Sequence, residues 1–168
     1  MSAGGGAATA RRANLAAAEL TADRESPEGF RKSFARFGPR FGARDTGASL
    51  YELEPGQTLA PYHYEYGEEE WLLVLEGTPW LRTPEGTETL APQDLAFFPC
   101  GEEGAHQVGN ASEEPVRFLM WSTVAFPTVC AYPDSGKVAI WDAERKLELT
   151  VERGSGVGYF YGEEAPAP

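Results

Sequence analysis

The sequence predicts an all-β sandwich or barrel with a short arm ahead of it, and three observations carry that prediction. From Ala48 onward, short runs of aliphatic, aromatic and β-branched residues follow one another: "ASLYELEPG", "EWLLVLEG", "TPWLRTPEG", "TETLAPQD", "LAFFPCG", "AHQVGN" and "PVRFLMWSTV". Gly, Pro, Asp or Asn separates them at short intervals, as in antiparallel strands joined by turns. The 13 prolines, 19 glycines and 12% aromatic residues suit many short strands better than a helical bundle.

Taken in order, residues 1 to about 13 are small and rich in Gly and Ala, and are expected to be disordered. The stretch "NLAAAELTADRESPEGFRKSFARF" is expected to form one or two short helices punctuated by Pro27 and Gly29. It is too short and broken for a helix-turn-helix domain. In the strand region, Trp71–Leu75 and Val116–Trp121 are apolar without clear alternation. A strand with one wet face alternates, so both faces of these two should be covered. The interior covers one face, and a terminal arm or a second protomer covers the other. The tail "GVGYFYGEEAPAP", with Tyr159, Phe160 and Tyr161, is a candidate arm whose last residues should fray. A chain of 168 residues fits one domain. The expected organisation is an N-terminal arm over 1–45, a barrel core over 46–124, and C-terminal strands and tail over 125–168 that complete the barrel or a homodimer.

The net charge of −12 opposes non-specific binding to nucleic acid or to an anionic membrane surface. It leaves an anionic small substrate open, because a pocket's local field can differ from the total. Cys100 and Cys130 form neither a metal-ligand spacing nor a dense disulfide framework. The N-terminus resembles a signal peptide only faintly, and Ser2 departs from the myristoylation pattern. No apolar run approaches the ~20 residues that span a bilayer. A cytoplasmic protein with reduced thiols is the expectation.

The chemistry concentrates in "PYHYEYGEEEWLLVLEG", Pro61 to Gly77, and "LAPQDLAFFPCGEEGAHQVGN". In an extended strand His63 and Glu65 share a face, while Tyr62, Tyr64 and Tyr66 point away and are expected to pack. A turn at Gly67-Glu68 returns Glu70 alongside them, with Glu68 and Glu69 read as solvated turn residues. Glu70 precedes a buried run, where a carboxylate needs a partner or a metal. Pro99 and Gly101 break the strand ahead of His106, the second of only two histidines. Asn110 is read as a turn residue. Arg82 and Arg117 lie in expected strands; facing inward they could anchor a substrate carboxylate, and facing outward they are surface or interface residues.

These segments resemble the two motifs of the cupin superfamily. Gly56, His63, Glu65, Glu70 and Gly77 resemble the first, and Pro99, Gly101, His106 and Asn110 the second, over about residues 46–124. Glu65 stands where the family usually has a second histidine, Gln93 stands at the first glycine of the second motif, and the loop before His106 is slightly longer. "YPDSGKV" and "GYFYGE" also resemble segments of small single-domain bacterial cupins without an agreed activity. The resemblance implies a double-stranded β-helix of the jelly-roll type, with His63, Glu65, Glu70 and His106 as ligands of a divalent metal such as Mn, Fe, Zn or Ni. Family members act as dioxygenases, isomerases, epimerases or decarboxylases, and others bind ligands without turnover. The expectation is a metal-dependent enzyme, oxygenase or isomerase in type, acting on a small organic molecule. The alternative is a non-catalytic small-ligand-binding module. No catalytic residue follows beyond the ligand set.

Overall fold

Strand residues two apart share a face, and that alternation places the core. The computed structural model describes residues 10–165, so the disorder expected over residues 1–9 and the fraying of 166–168 lie outside the described residues. Strands β1 (Thr21–Ala22) and β2 (Ser33–Arg36) precede a short helix, α1 (Phe37–Phe41). Then come β3 (Thr46–Leu53), β4 (Tyr64–Glu65), β5 (Glu70–Glu76), β6 (Trp80–Thr83), β7 (Gly86–Thr89) and β8 (Leu95–Phe98). After a 3-10 turn at Glu102–Gly104 follow β9 (Gln107–Gly109), β10 (Val116–Thr123), β11 (Thr128–Tyr132), β12 (Lys137–Trp141) and β13 (Glu148–Glu152).

The strands form a six-stranded sheet ordered β1-β2-β3-β10-β5-β8, a four-stranded sheet β13-β12-β11-β4 and a three-stranded sheet β7-β6-β9, with every pairing antiparallel. The result is a mostly β jelly roll. Leu72 and Val74 of β5 and Val116 and Phe118 of β10 point inward and meet Leu81 of β6 and Val108 of β9 across the barrel. Each such buried side chain contributes about 1.5–3 kcal/mol relative to exposure. Gly77 ends β5 with φ at 75°, and a Cβ there would lie 2.7 Å from Val116 Cγ1, so the turn into β6 demands glycine.

The outer faces of β5 and β10 are only partly covered. Leu50 of β3, paired with Leu119 of β10, is sealed, and α1 packs against β3 with Phe37 buried. Farther along, Trp71 and Trp121 stack in parallel at 5.9 Å, and Phe97 packs on Trp71 at 4.5 Å but remains 43% exposed. The C-terminal tail does not cover them: Tyr159, Phe160 and Tyr161 are all exposed. The expectation of a covering C-terminal arm is thus corrected within one chain, where the N-terminal segment performs that part of the role.

That N-terminal segment is not the helical stretch expected over residues 14–37. Ser33–Arg36 pairs with Ser49–Glu52 and extends the sheet. Upstream, the Asp23 carboxylate accepts hydrogen bonds from the backbone N–H groups of Glu25 and Ser26 and from Ser26 Oγ. Gln57 Oε1 accepts from Gly29 and Arg31 N–H. Side chains that capture these N–H groups favour a turn over a helix.

Candidate metal centre

His63 and His106 come from opposite motifs and are joined by an isolated antiparallel bridge. His63 N–H donates to the His106 carbonyl at 3.1 Å, and His106 N–H donates to the His63 carbonyl at 2.8 Å. Their rings lie 4.7 Å apart. Each Nδ1 faces a backbone carbonyl, that of Pro61 at 2.8 Å for His63 and that of Gly104 at 3.0 Å for His106. A carbonyl only accepts, so both Nδ1 atoms carry the proton and both Nε2 atoms are left to bind something else.

Both Nε2 atoms face carboxylates. His63 Nε2 is 3.3 Å from Glu65 Oε1, and His106 Nε2 is 3.3 Å from Glu70 Oε2. Glu65 reaches the site from β4 and Glu70 from β5, strands of different sheets, and the turn between them carries the chain from one layer to the other. The Glu65 carbonyl accepts the Gly101 N–H at 2.7 Å, which ties the first motif to the loop preceding His106.

Two lone-pair acceptors at that distance need a cation or a proton between them. Burial, and then the neighbouring charge of Glu65, pushes Glu70 well above the usual carboxylate range. Burial and the charge of His63 press His106 down to about 4. For His63 the burial penalty is outweighed by the hydrogen bond and charge of Glu65, so its pKa is raised. Glu65 is lowered, because burial is outweighed by His63. Burial thus disfavours the charged forms of Glu70 and His106, while His63 and Glu65 favour each other's charged forms. Glu70 Oε2 and His106 Nε2 are nevertheless buried without a hydrogen-bond partner. Such orphaned donor atoms are costly to keep unless a ligand meets them.

The donor chemistry fits a metal ion. His63, Glu70 and His106 offer ligand atoms that all lie within 4.8 Å of one another, and so do His63, Glu65 and Cys130. Cys130, set aside in the sequence because its spacing marks no metal ligand, joins the second of these groups. It is buried on β11 directly opposite Glu65 of β4, with its Sγ 3.8 Å from Glu65 Oε1. Burial, and then the charge of Glu65, pushes its thiol up to about 12.

A cavity of about 370 Å³ opens onto these residues, with Tyr51, Met120, Trp121, Tyr132 and Trp141 among its walls and Lys32 and Arg145 at its lining. Tyr132 stacks on His63 at 6.0 Å, and burial followed by the adjacent Cys130 raises its hydroxyl well above the usual phenol value. Neither arginine left open by the sequence lines this cavity. Arg82 makes a two-pronged ion pair with Asp134 at 2.7 and 2.9 Å and stacks over Tyr62. Arg117 lies on the outer face between Glu52 and Glu76.

Tyr62 and Tyr64 pack with Ala105 and Ala131 on the far side of β4, as the alternation requires, whereas Tyr66 is half exposed. Asn110 is a buried turn clasp: its Nδ2 donates to the Leu53 and Glu114 carbonyls and its Oδ1 accepts from Ser112. Glu69 is exposed as expected, but Glu68 is not a solvated turn residue. Its Oε1 accepts from Ala125 N–H and Thr128 Oγ1, which clamps the turn onto the loop before β11.

The Cupin domain family model matches residues 49–122. Among solved structures, the chain is similar to a sugar phosphate isomerase of the cupin superfamily from Silicibacter pomeroyi, at 26% identity over 89% of this chain and 98% of that one, with a TM-score of 0.75. A protein described as a sugar phosphate isomerase from Acidithiobacillus ferrooxidans shares the fold at 23% identity, over 86% of this chain and 91% of that one, with a TM-score of 0.76. A polyketide cyclase from Streptomyces resistomycificus does so at 22% identity, over 71% and 84%, with a TM-score of 0.58. No curated protein matches the chain. Residues 49–122, which carry both histidines and both facing carboxylates, form a Cupin domain.

Proposed function

We propose that the chain is a metal-dependent enzyme of isomerase type acting on a small anionic organic molecule, with His63, Glu65, Glu70 and His106 holding a divalent ion. One observation carries this reading: two Nε2–carboxylate pairs converge at the wall of a cavity, and one pair, Glu70 Oε2 with His106 Nε2, is buried without a partner. When bound, such an ion acts as a Lewis acid towards a substrate oxygen or as an oxygen-activating centre.

The surrounding residues support an isomerase over an oxygenase. Tyr132, kept neutral by burial, holds a proton at its hydroxyl against the cavity. Lys32, paired with Asp23 at 3.3 Å, and Arg145, paired with Glu148 at 3.4 Å, line the cavity, where either could exchange its partner for a substrate carboxylate or phosphate. The isomerase similarity at 26% identity points the same way. The test is incubation of the metal-loaded protein with aldose and ketose phosphates in D2O, followed by NMR. Deuterium incorporation beside the carbonyl, lost in Glu70→Gln, supports the reading. Saturable binding without exchange or conversion would show a ligand-binding module instead.

The reading extends to a homodimer in the cytoplasm, where both thiols stay reduced. The Trp71–Trp121–Phe97 patch with exposed Leu95, and the exposed Tyr159–Tyr161 segment, leave apolar surface that a second copy would bury. Light scattering at micromolar concentration should give twice the chain mass, and Phe97→Glu should reduce it to one. A parent protein of single-chain mass contradicts this part of the reading.

A further inference from the structure

We infer that Cys130 supplies a sulfur ligand to this pocket, so that the site takes soft divalent ions such as Zn²⁺ or Co²⁺ through His63, Glu65 and Cys130. The inference rests on the metal-site reading above and adds to it a donor outside the two cupin motifs.

The register of the sheet carries it. Cys130 sits opposite Glu65 in the β4–β11 pair, and facing residues on adjacent strands present their side chains side by side. The thiol is buried, lines the same cavity as His63 and Glu65, and lies 3.8 Å from Glu65 Oε1. One donor atom each from His63, Glu65 and Cys130 falls within 4.8 Å of the other two. Typical bonds of about 2.0–2.3 Å from zinc to nitrogen, oxygen and sulfur therefore reach all three after a small contraction. A second observation lies across the pocket, where His106 Nε2, on a side chain almost wholly buried, has no partner and faces the same space.

Charge separates the two ligand sets. Glu65 and a Cys130 thiolate neutralise a divalent ion without Glu70. Binding forms one metal–sulfur bond and releases the thiol proton to solvent. Thiolate suits Zn²⁺ and Co²⁺, while Mn²⁺ and Mg²⁺ favour the oxygen-rich set of both glutamates with the histidines.

Cobalt reads out the sulfur directly. Co²⁺-loaded protein should show a thiolate-to-cobalt charge-transfer band in the near ultraviolet, retained in Cys100→Ser and lost in Cys130→Ser. Zinc affinity should fall at least about tenfold in Cys130→Ser, since removing even a group that merely supports a ligand costs about that much, while manganese affinity should hold. Should Cys130→Ser fail to fold, X-ray absorption of zinc-loaded Cys100→Ser protein answers the same question, with a sulfur scatterer expected at about 2.3 Å. Bound cobalt with only d–d absorption, or a zinc shell of nitrogen and oxygen alone, overturns the sulfur ligand and leaves the histidine–carboxylate site standing. Protein that retains neither cobalt nor manganese overturns both.

Discussion

His63 and His106 donate their backbone N–H groups to each other's carbonyls, at 3.1 and 2.8 Å, and thereby hold their rings 4.7 Å apart. The two motif histidines are thus positioned by main-chain pairing and not by side-chain packing alone. Their Nδ1 atoms are fixed on Pro61 and Gly104, so both Nε2 atoms present lone pairs to the same pocket.

Glu70 should make the metal-free protein's stability fall as pH rises above about 4.5. Its folded-state pKa is raised, by burial and then by Glu65 and Glu68, so its contribution is complete below the ordinary value of 4.5 and is lost as pH rises through the raised value. His106 acts at the other end. Its pKa is depressed from 6.5 to about 4, so stability falls as pH drops through that window, where the unfolded chain takes the proton first. Thermal melts of metal-free protein across pH should show both effects, and Glu70→Gln should remove the loss on the high-pH side. Added Mn²⁺ should stabilise the protein more as pH rises, because fewer protons then compete for its ligands; a pH-independent effect of Mn²⁺ contradicts this.

Glu65 should set metal preference. Substituting Glu65→His exchanges a carboxylate for a neutral donor and should retain binding while shifting preference away from Mn²⁺. Glu65→Ala should weaken Mn²⁺ or Fe²⁺ by roughly 10–100-fold. Isothermal titration of both variants against the parent decides it. Mn²⁺ binding at parental strength in Glu65→Ala shows that Glu65 is not a ligand.

Gln93 offers a stability test free of the site. It stands where the cupin pattern has glycine and still adopts φ of 79°, a left-handed conformation that costs a side-chain-bearing residue about 1–2 kcal/mol. Part of that is offset by the greater unfolded-state freedom of glycine. Gln93→Gly should therefore stabilise the protein by about 0.5–1 kcal/mol, measured by urea unfolding with an unchanged m-value. A loss of stability would show that the Gln93 side chain contributes more than its backbone strain.

The barrel was legible because strands write themselves locally: the runs from Ala48 to Thr123 alternate or stay apolar, and turn residues divide them. His63, Glu65, Glu70 and His106 were legible for a related reason, since strand facing and one short turn bring each motif's residues to a shared side. Cys130 was not, because only the β4–β11 register brings it to Glu65, 65 residues earlier in the chain. The strand Ser33–Arg36 was also hidden, because pairing with β3 is a tertiary choice that its helix-compatible residues do not announce. Glu68 reads as surface within Glu68-Glu69-Glu70 until Thr128 arrives from the far side of the fold to meet it. Lys32, immediately before that unforeseen strand, also lines the cavity.

The central claim is that the two Nε2–carboxylate pairs hold a single divalent ion. Equilibrium dialysis of the purified protein against Mn²⁺, followed by elemental analysis, tests it most directly. The parent should retain one ion per chain, and His106→Ala, shown folded by circular dichroism, should retain none. A folded parent that retains no ion, or His106→Ala binding it as tightly as the parent, contradicts the claim.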